Sequence, residues 1–116
     1  MSPDDFIEKA IECGARDGLY SLGPVEQVIF AVSEAEVYCD MEGIDGLLDR
    51  YRNEAMEIFV SAFSSIGAVE IAETLKAITS PGASGREEML ARANELITVR
   101  RQYSYESIRA FVERKI

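Results

Sequence analysis

Residues 24–43 read PVEQVIFAVSEAEVYCDMEG. Proline opens the stretch where its missing N–H costs a helix nothing. Val25, Val28, Ile29, Val32, Ala35 and Cys39 then recur at helical spacing until Gly43. At about 100° per residue these six side chains fall in one arc, so a long central helix is predicted. Glu36 falls inside that arc, angularly between Val32 and Ile29, whereas Glu26 and Glu34 point away. An ionised carboxylate there is expensive unless it is hydrogen-bonded or paired, so Glu36 is expected to be a buried acid with a partner and a structural role.

The same pattern extends outward in both directions. Ser2-Pro3-Asp4-Asp5 supplies an N-cap, a first-position proline and an acidic first turn for a helix carrying Phe6, Ile7, Ala10 and Ile11, expected to end at Gly14. Beyond Gly43 come a short segment, Ile44 to Tyr51, that sends Leu47 and Leu48 to the core, and a helix through Ala55, Ile58, Phe59, Ala62, Phe63 and Ile66 that stops at Gly67. A further helix through Ile71, Ala72, Leu75 and Ile78 ends at Ser80-Pro81-Gly82. Ser84-Gly85-Arg86-Glu87 reads as a capping box ahead of Met89, Leu90, Ala93, Leu96 and Ile97, and Ser104 caps a last helix bearing Ile108, Phe111 and Val112. No stretch sustains a period of two, and no Asn-Gly hairpin signal occurs. The 116 residues are too few for two cores. An all-α, compact single-domain bundle of six or seven short-to-medium helices joined by short loops is expected, spanning 1–116.

Composition narrows the function classes. The chain is 47% hydrophobic and 28% charged, with 12 Lys and Arg against 21 Asp and Glu, a net charge of −9, and it has no histidine. The commonest general base and metal ligand is therefore missing, and no enzyme activity, metal or cofactor is expected. Residues Asp40 to Gly46 look superficially like a calcium loop, but Ile44 and Tyr51 stand where oxygen ligands belong. The Gly82-Ala83-Ser84-Gly85 stretch lacks the Lys-Ser/Thr of a phosphate loop. Carboxylate-pair chemistry by Glu36 and Asp40, one helical turn apart, stays open as a minor alternative. Cys13 and Cys39 have no CxxC spacing and read as small buried hydrophobes. The longest uncharged run, Ile58 to Val69, is too short to span a bilayer, and the acidic opening is unlike a secretory signal, so a cytoplasmic protein with no membrane partner is expected.

Charge is distributed unevenly. Residues 1–80 hold 16 acids and 5 bases, while 81–116 hold 5 acids and 7 bases, giving an acidic part and a near-neutral to basic part. Between Glu26 and Asp49 there are seven acids and no base. Such a surface repels nucleic acid and attracts basic proteins, or serves only as a solvated face. Glu26, Glu34, Asp40, Glu42, Asp45 and Asp49 are the expected contacts for a basic protein partner, with no direct nucleic-acid binding. The apolar positions around Leu47 and Tyr51 are the fallback contact surface, with a homodimer as the simplest partner. Arg100-Arg101-Gln102-Tyr103-Ser104-Tyr105 interleaves bases with aromatics, as single-strand binding sites do, but the reading preferred is structural, with the arginines at a helix end and the tyrosines covering the bundle.

Glu34-Ala35-Glu36-Val37, followed by Met41-Glu42-Gly43-Ile44-Asp45-Gly46-Leu47-Leu48 and then Ser65-Ile66-Gly67-Ala68 ahead of the Ala72 and Leu75 helix, resembles the DNA-mimic-protein-19-like bacterial family of domains of unknown function. The similarity covers about residues 24–80. It departs at Ile44, Leu47 and Leu48, where the family has aromatics, and at Asp49-Arg50. The resemblance implies an all-α acidic domain and, by one member, an acidic dimer that imitates the charge spacing of DNA and occupies a regulator's DNA-binding surface. An immunity-type protein neutralising a basic toxin fits the same size and charge, as does an uncharacterised enzyme or structural domain.

Overall fold

The Ser2 hydroxyl accepts the Asp5 N–H at 3.2 Å and Pro3 takes the first helical position, so α1 (Pro3–Asp17) starts where the capping signal places it. Its end differs from expectation. The helix runs through Gly14 and stops at Gly18, whose φ of +96° suits glycine. Gly14 serves a different need: a side chain there would run into the ring of Phe30, so its missing Cβ lets α1 and α2 approach closely.

The computed structural model describes residues 2–80 and 85–116. The Pro81-Gly82 break, the Gly82-Ala83-Ser84 stretch and the Ser84 cap lie outside the described residues. Among the described residues the chain is all-α, with a short 3₁₀ turn (Leu19–Ser21) leading into α2 (Pro24–Met41). Helix α2 buries Val28, Ile29, Val32, Ala35 and Cys39 as their spacing requires, and Phe30 and Ala31 besides. It is central because α1, α3 (Ile44–Arg50), α4 (Asn53–Ser65), α6 (Arg86–Thr98) and α7 (Tyr105–Lys115) all pack against it. Helix α5 (Val69–Ile78) bridges α4 and α6.

Phe59, Phe63, Leu47, Met56, Ile71, Leu75, Ile78 and Ile97 fill the centre, and the radius of gyration of 13.5 Å matches one compact domain of this length. Leu47 (0% exposed) and Tyr51 (8%) are core residues, which removes them as an exposed contact surface. Their spacing of four puts both on the inward side of the α3 segment. Cys39 is buried as expected, but Cys13 is only half-buried.

Two helices are started by side chains distant in sequence. Asn94 Oδ1 on α6 accepts the Ile44 N–H at 2.9 Å and caps α3, and Gln102 Oε1 accepts the Glu70 and Ile71 N–H groups at 2.7 and 3.2 Å and caps α5. Ser104 caps α7 as expected, with Ser107 closing the box. None of the described helices is long and apolar enough to cross a membrane.

Candidate functional site

The second half of α2 meets two other segments: the short α3, which packs on it, and the 99–103 turn after α6, which bonds to Glu36 and Asp40. Arg100 joins the turn to α2. Its φ of +50° is uncommon for a side-chain-bearing residue and costs on the order of 1 kcal/mol. The charge-assisted bonds it allows offset this. Nη1 and Nη2 donate to the two Asp40 carboxylate oxygens at 3.0 and 2.9 Å, Nε lies 3.2 Å from Glu36 Oε2, and Nη1 also donates to the Ile97 and Thr98 carbonyls. Glu36 and Asp40, one turn apart on α2, therefore share one guanidinium.

Glu36 has a second partner. The Tyr103 hydroxyl donates to the same Oε2 at 2.6 Å, while its ring packs on Phe63 with centroids 5.6 Å apart. Glu36 is thus partnered twice, as its place in the apolar arc demanded, although its side chain keeps 25% of its exposure and is half-buried rather than enclosed. The hydrogen bond from Arg100 holds the Asp40 carboxyl below the usual aspartate range, and Asp40 in turn raises the Arg100 guanidinium. Burial, then the bond to Glu36, pushes the Tyr103 phenol well above its ordinary value. Burial pushes the Cys39 thiol up to about 12, so it stays protonated and unreactive at neutral pH.

The remaining predicted acids separate into three settings. Glu34 accepts the Tyr51 hydroxyl at 2.7 Å and is half-buried. Glu26 sits in the first turn of α2, about 21 Å from Asp40 along the helix axis at 1.5 Å per residue, beside Gly23 in a groove of about 400 Å³ that Phe6, Lys9, Cys13 and Leu22 also line. It does not join the others. Glu42, Asp45 and Asp49 do come together: Glu42 lies against Gly46, where a Cβ would meet its Oε2 at 2.7 Å, and Asp45 and Asp49 are one turn apart on α3. All three are exposed, and among the described residues none is within ion-pair distance of a lysine or arginine.

The 100–105 segment is used within the fold. Arg100 clasps Glu36 and Asp40, Gln102 caps α5 and Tyr103 is buried, while Tyr105 donates to Asp4 at 2.6 Å. Arg100 and Tyr103 are the residues that sequence reasoning missed as partners of Glu36. The one available signal was the misplaced charge of Glu36 itself, which required a partner without naming it. No group of three or more Cys, Asp or Glu side chains among the described residues is arranged to hold a metal ion. No family model matches the chain, and no curated protein or solved structure matches it.

Proposed function

We propose that this chain is an acidic protein-interaction domain whose α2–α3 corner binds a basic protein surface, acting in the cytoplasm as a mimic that occupies the DNA-binding surface of a basic regulator. The observation that supports this reading is the exposed trio Glu42, Asp45 and Asp49, none of which is within ion-pair distance of a lysine or arginine among the described residues. Three carboxylates in that setting repel one another and project a negative potential that steers a cationic partner toward the corner. Asp40, paired with Arg100, borders the trio, and the Glu34 carboxylate is held in place by the Tyr51 hydroxyl. Glu26, at the far end of α2, lies outside the corner.

The test is to isolate partners on the immobilised chain from a native lysate and to measure their association kinetics. A basic DNA-binding protein that the chain releases from duplex DNA, with association slowed by Asp45→Lys and Asp49→Lys, supports the proposal. The chain itself should not shift duplex DNA at low salt. An affinity unchanged by those reversals and by salt between about 50 and 300 mM sinks the acidic-corner reading. Recovery of a basic nuclease in place of a regulator replaces mimicry with toxin neutralisation at the same surface.

A further inference from the structure

Resting on the acidic-corner reading, we infer that the partner presents a basic amphipathic helix, whose apolar face seats on Val37 and Met41 of α2 while its lysines or arginines meet the acids around them. Most apolar side chains of α2 are covered, but Val37 (47% exposed) and Met41 (80%) are not. They stand one turn apart, so at about 100° per residue they form a short stripe only some 40° wide. On the same wheel Asp40 and Glu34 fall about 60° to either side of Val37 but are already bonded to Arg100 and Tyr51, so the free charge beside the stripe is that of Glu42, Asp45 and Asp49, into which the chain continues from Met41.

An apolar stripe with an acidic border has a narrow set of complements. A second copy would bring another acidic corner onto this one, in a chain of net charge −9, and anionic lipid or nucleic acid is repelled for the same reason. A helix with apolar residues at i and i+4 and bases flanking them satisfies both features at once. It also approaches the C-terminal end of α2, where the carbonyl end of the dipole favours cations. Methionine suits such a seat because its flexible, polarizable side chain adapts to the shape laid on it.

Two labelled peptides of about 18 residues, built from Leu and Lys, test this by fluorescence anisotropy and stopped-flow kinetics: one with the leucines on a single helical face, the other scrambled. The amphipathic peptide should bind about tenfold tighter than the scrambled one, and Val37→Ser and Met41→Ser should each remove most of that difference by speeding dissociation. Met41→Leu should retain it. Both serine variants alter exposed positions and should melt with the parent, which circular dichroism checks. Equal binding of the two peptides, or serine variants without effect, overturns the apolar seat. If Asp45→Lys and Asp49→Lys still slow both peptides in that case, the acidic corner survives it. Reversals without effect, or no binding of either peptide, overturn both.

Discussion

Replacing Glu36 by alanine should cost about 2 kcal/mol, and most of that comes from what is left behind. Tyr103 is 6% exposed, and its hydroxyl has Glu36 Oε2 as its acceptor at 2.6 Å. Without the carboxylate a buried hydroxyl loses its acceptor, a penalty of about 1–3 kcal/mol. Arg100 loses less, because its two bonds to Asp40 and those to the Ile97 and Thr98 carbonyls remain, and a half-exposed ion pair is worth at most about 1 kcal/mol. Tyr103→Phe removes the hydroxyl together with its need, so it should cost only about 1 kcal/mol. The double variant should therefore be more stable than the sum of the two singles predicts, by about 1 kcal/mol. Urea and thermal unfolding followed by circular dichroism measure all three, with each kcal/mol moving the Tm by roughly 4 °C in a chain of this size. Additive costs, or a Glu36→Ala variant that melts with the parent, would refute the view that Tyr103 depends on Glu36.

Gly14→Ala should destabilise despite a helix-propensity gain of about 1 kcal/mol, because its Cβ enters the buried Phe30 ring at an overpacking cost of about 1–3 kcal/mol, and adding Phe30→Leu should recover part of the loss in the same melts. Asn94→Ala should cost about 0.5–2 kcal/mol by uncapping α3, with amide exchange rising first at Ile44. The pH dependence has a sign at each end. The depressed Asp40 carboxyl contributes stability that is present above its ordinary value of 3.8 and is lost as pH falls through its folded value; Arg100→Gln should return its titration, followed by NMR, to the ordinary range. The raised Tyr103 phenol contributes stability that is complete below its ordinary value of 10.0 and declines as pH rises from there toward its folded value, so phenolate absorbance should lag in the native protein and appear with unfolding.

Local periodicity carried the helices because each spans only a few turns, and spacing told one inward side of α2, though not that Phe30, outside that arc, is buried against Gly14 of α1. Glycine was harder to read. As a stop signal Gly14 and Gly18 look alike, and at about 100° per residue both continue the Ile7 and Ala10 stripe, so only the Phe30 ring beside Gly14 and the positive φ of Gly18 separate them. Tyr51 likewise shares the inward side with Leu47, a cue that its polar hydroxyl obscured. The clasp was legible only from one side. Glu36 announces a missing partner, but Arg100 and Tyr103 lie 64 and 67 residues further on, beyond any local pattern. The charge asymmetry had the same blind spot. Arg92 pairs with Glu70, Arg100 with Glu36 and Asp40, and Arg109 with Asp4, so several bases of 81–116 are spent on acids of 1–80. The imbalance is partly a docking device of the fold, and Glu42, Asp45 and Asp49 at the α2–α3 corner are among the acids it leaves unmatched.

That corner should separate stability from binding. Asp45 is in the first turn of α3, where the helix dipole favours a carboxylate, and Asp49 is near its last turn, where the dipole opposes one. Both face the mutual repulsion of the trio. Removing either charge takes the same field away from an approaching cation, so Asp45→Asn and Asp49→Asn should slow association with a basic partner to similar extents and flatten its salt dependence alike. Their effects on folding should differ in direction. Asp49→Asn relieves repulsion and an unfavourable dipole contact together and should stabilise the chain by a few tenths of a kcal/mol. Asp45→Asn relieves the repulsion but gives up a favourable dipole contact, leaving it neutral or slightly destabilising by a similar amount. Melting curves at low and high salt should bring the two variants together as screening removes both terms. If Asp49→Asn instead destabilises the chain by more than about 1 kcal/mol, the carboxylate is engaged in the fold and not held free for a partner.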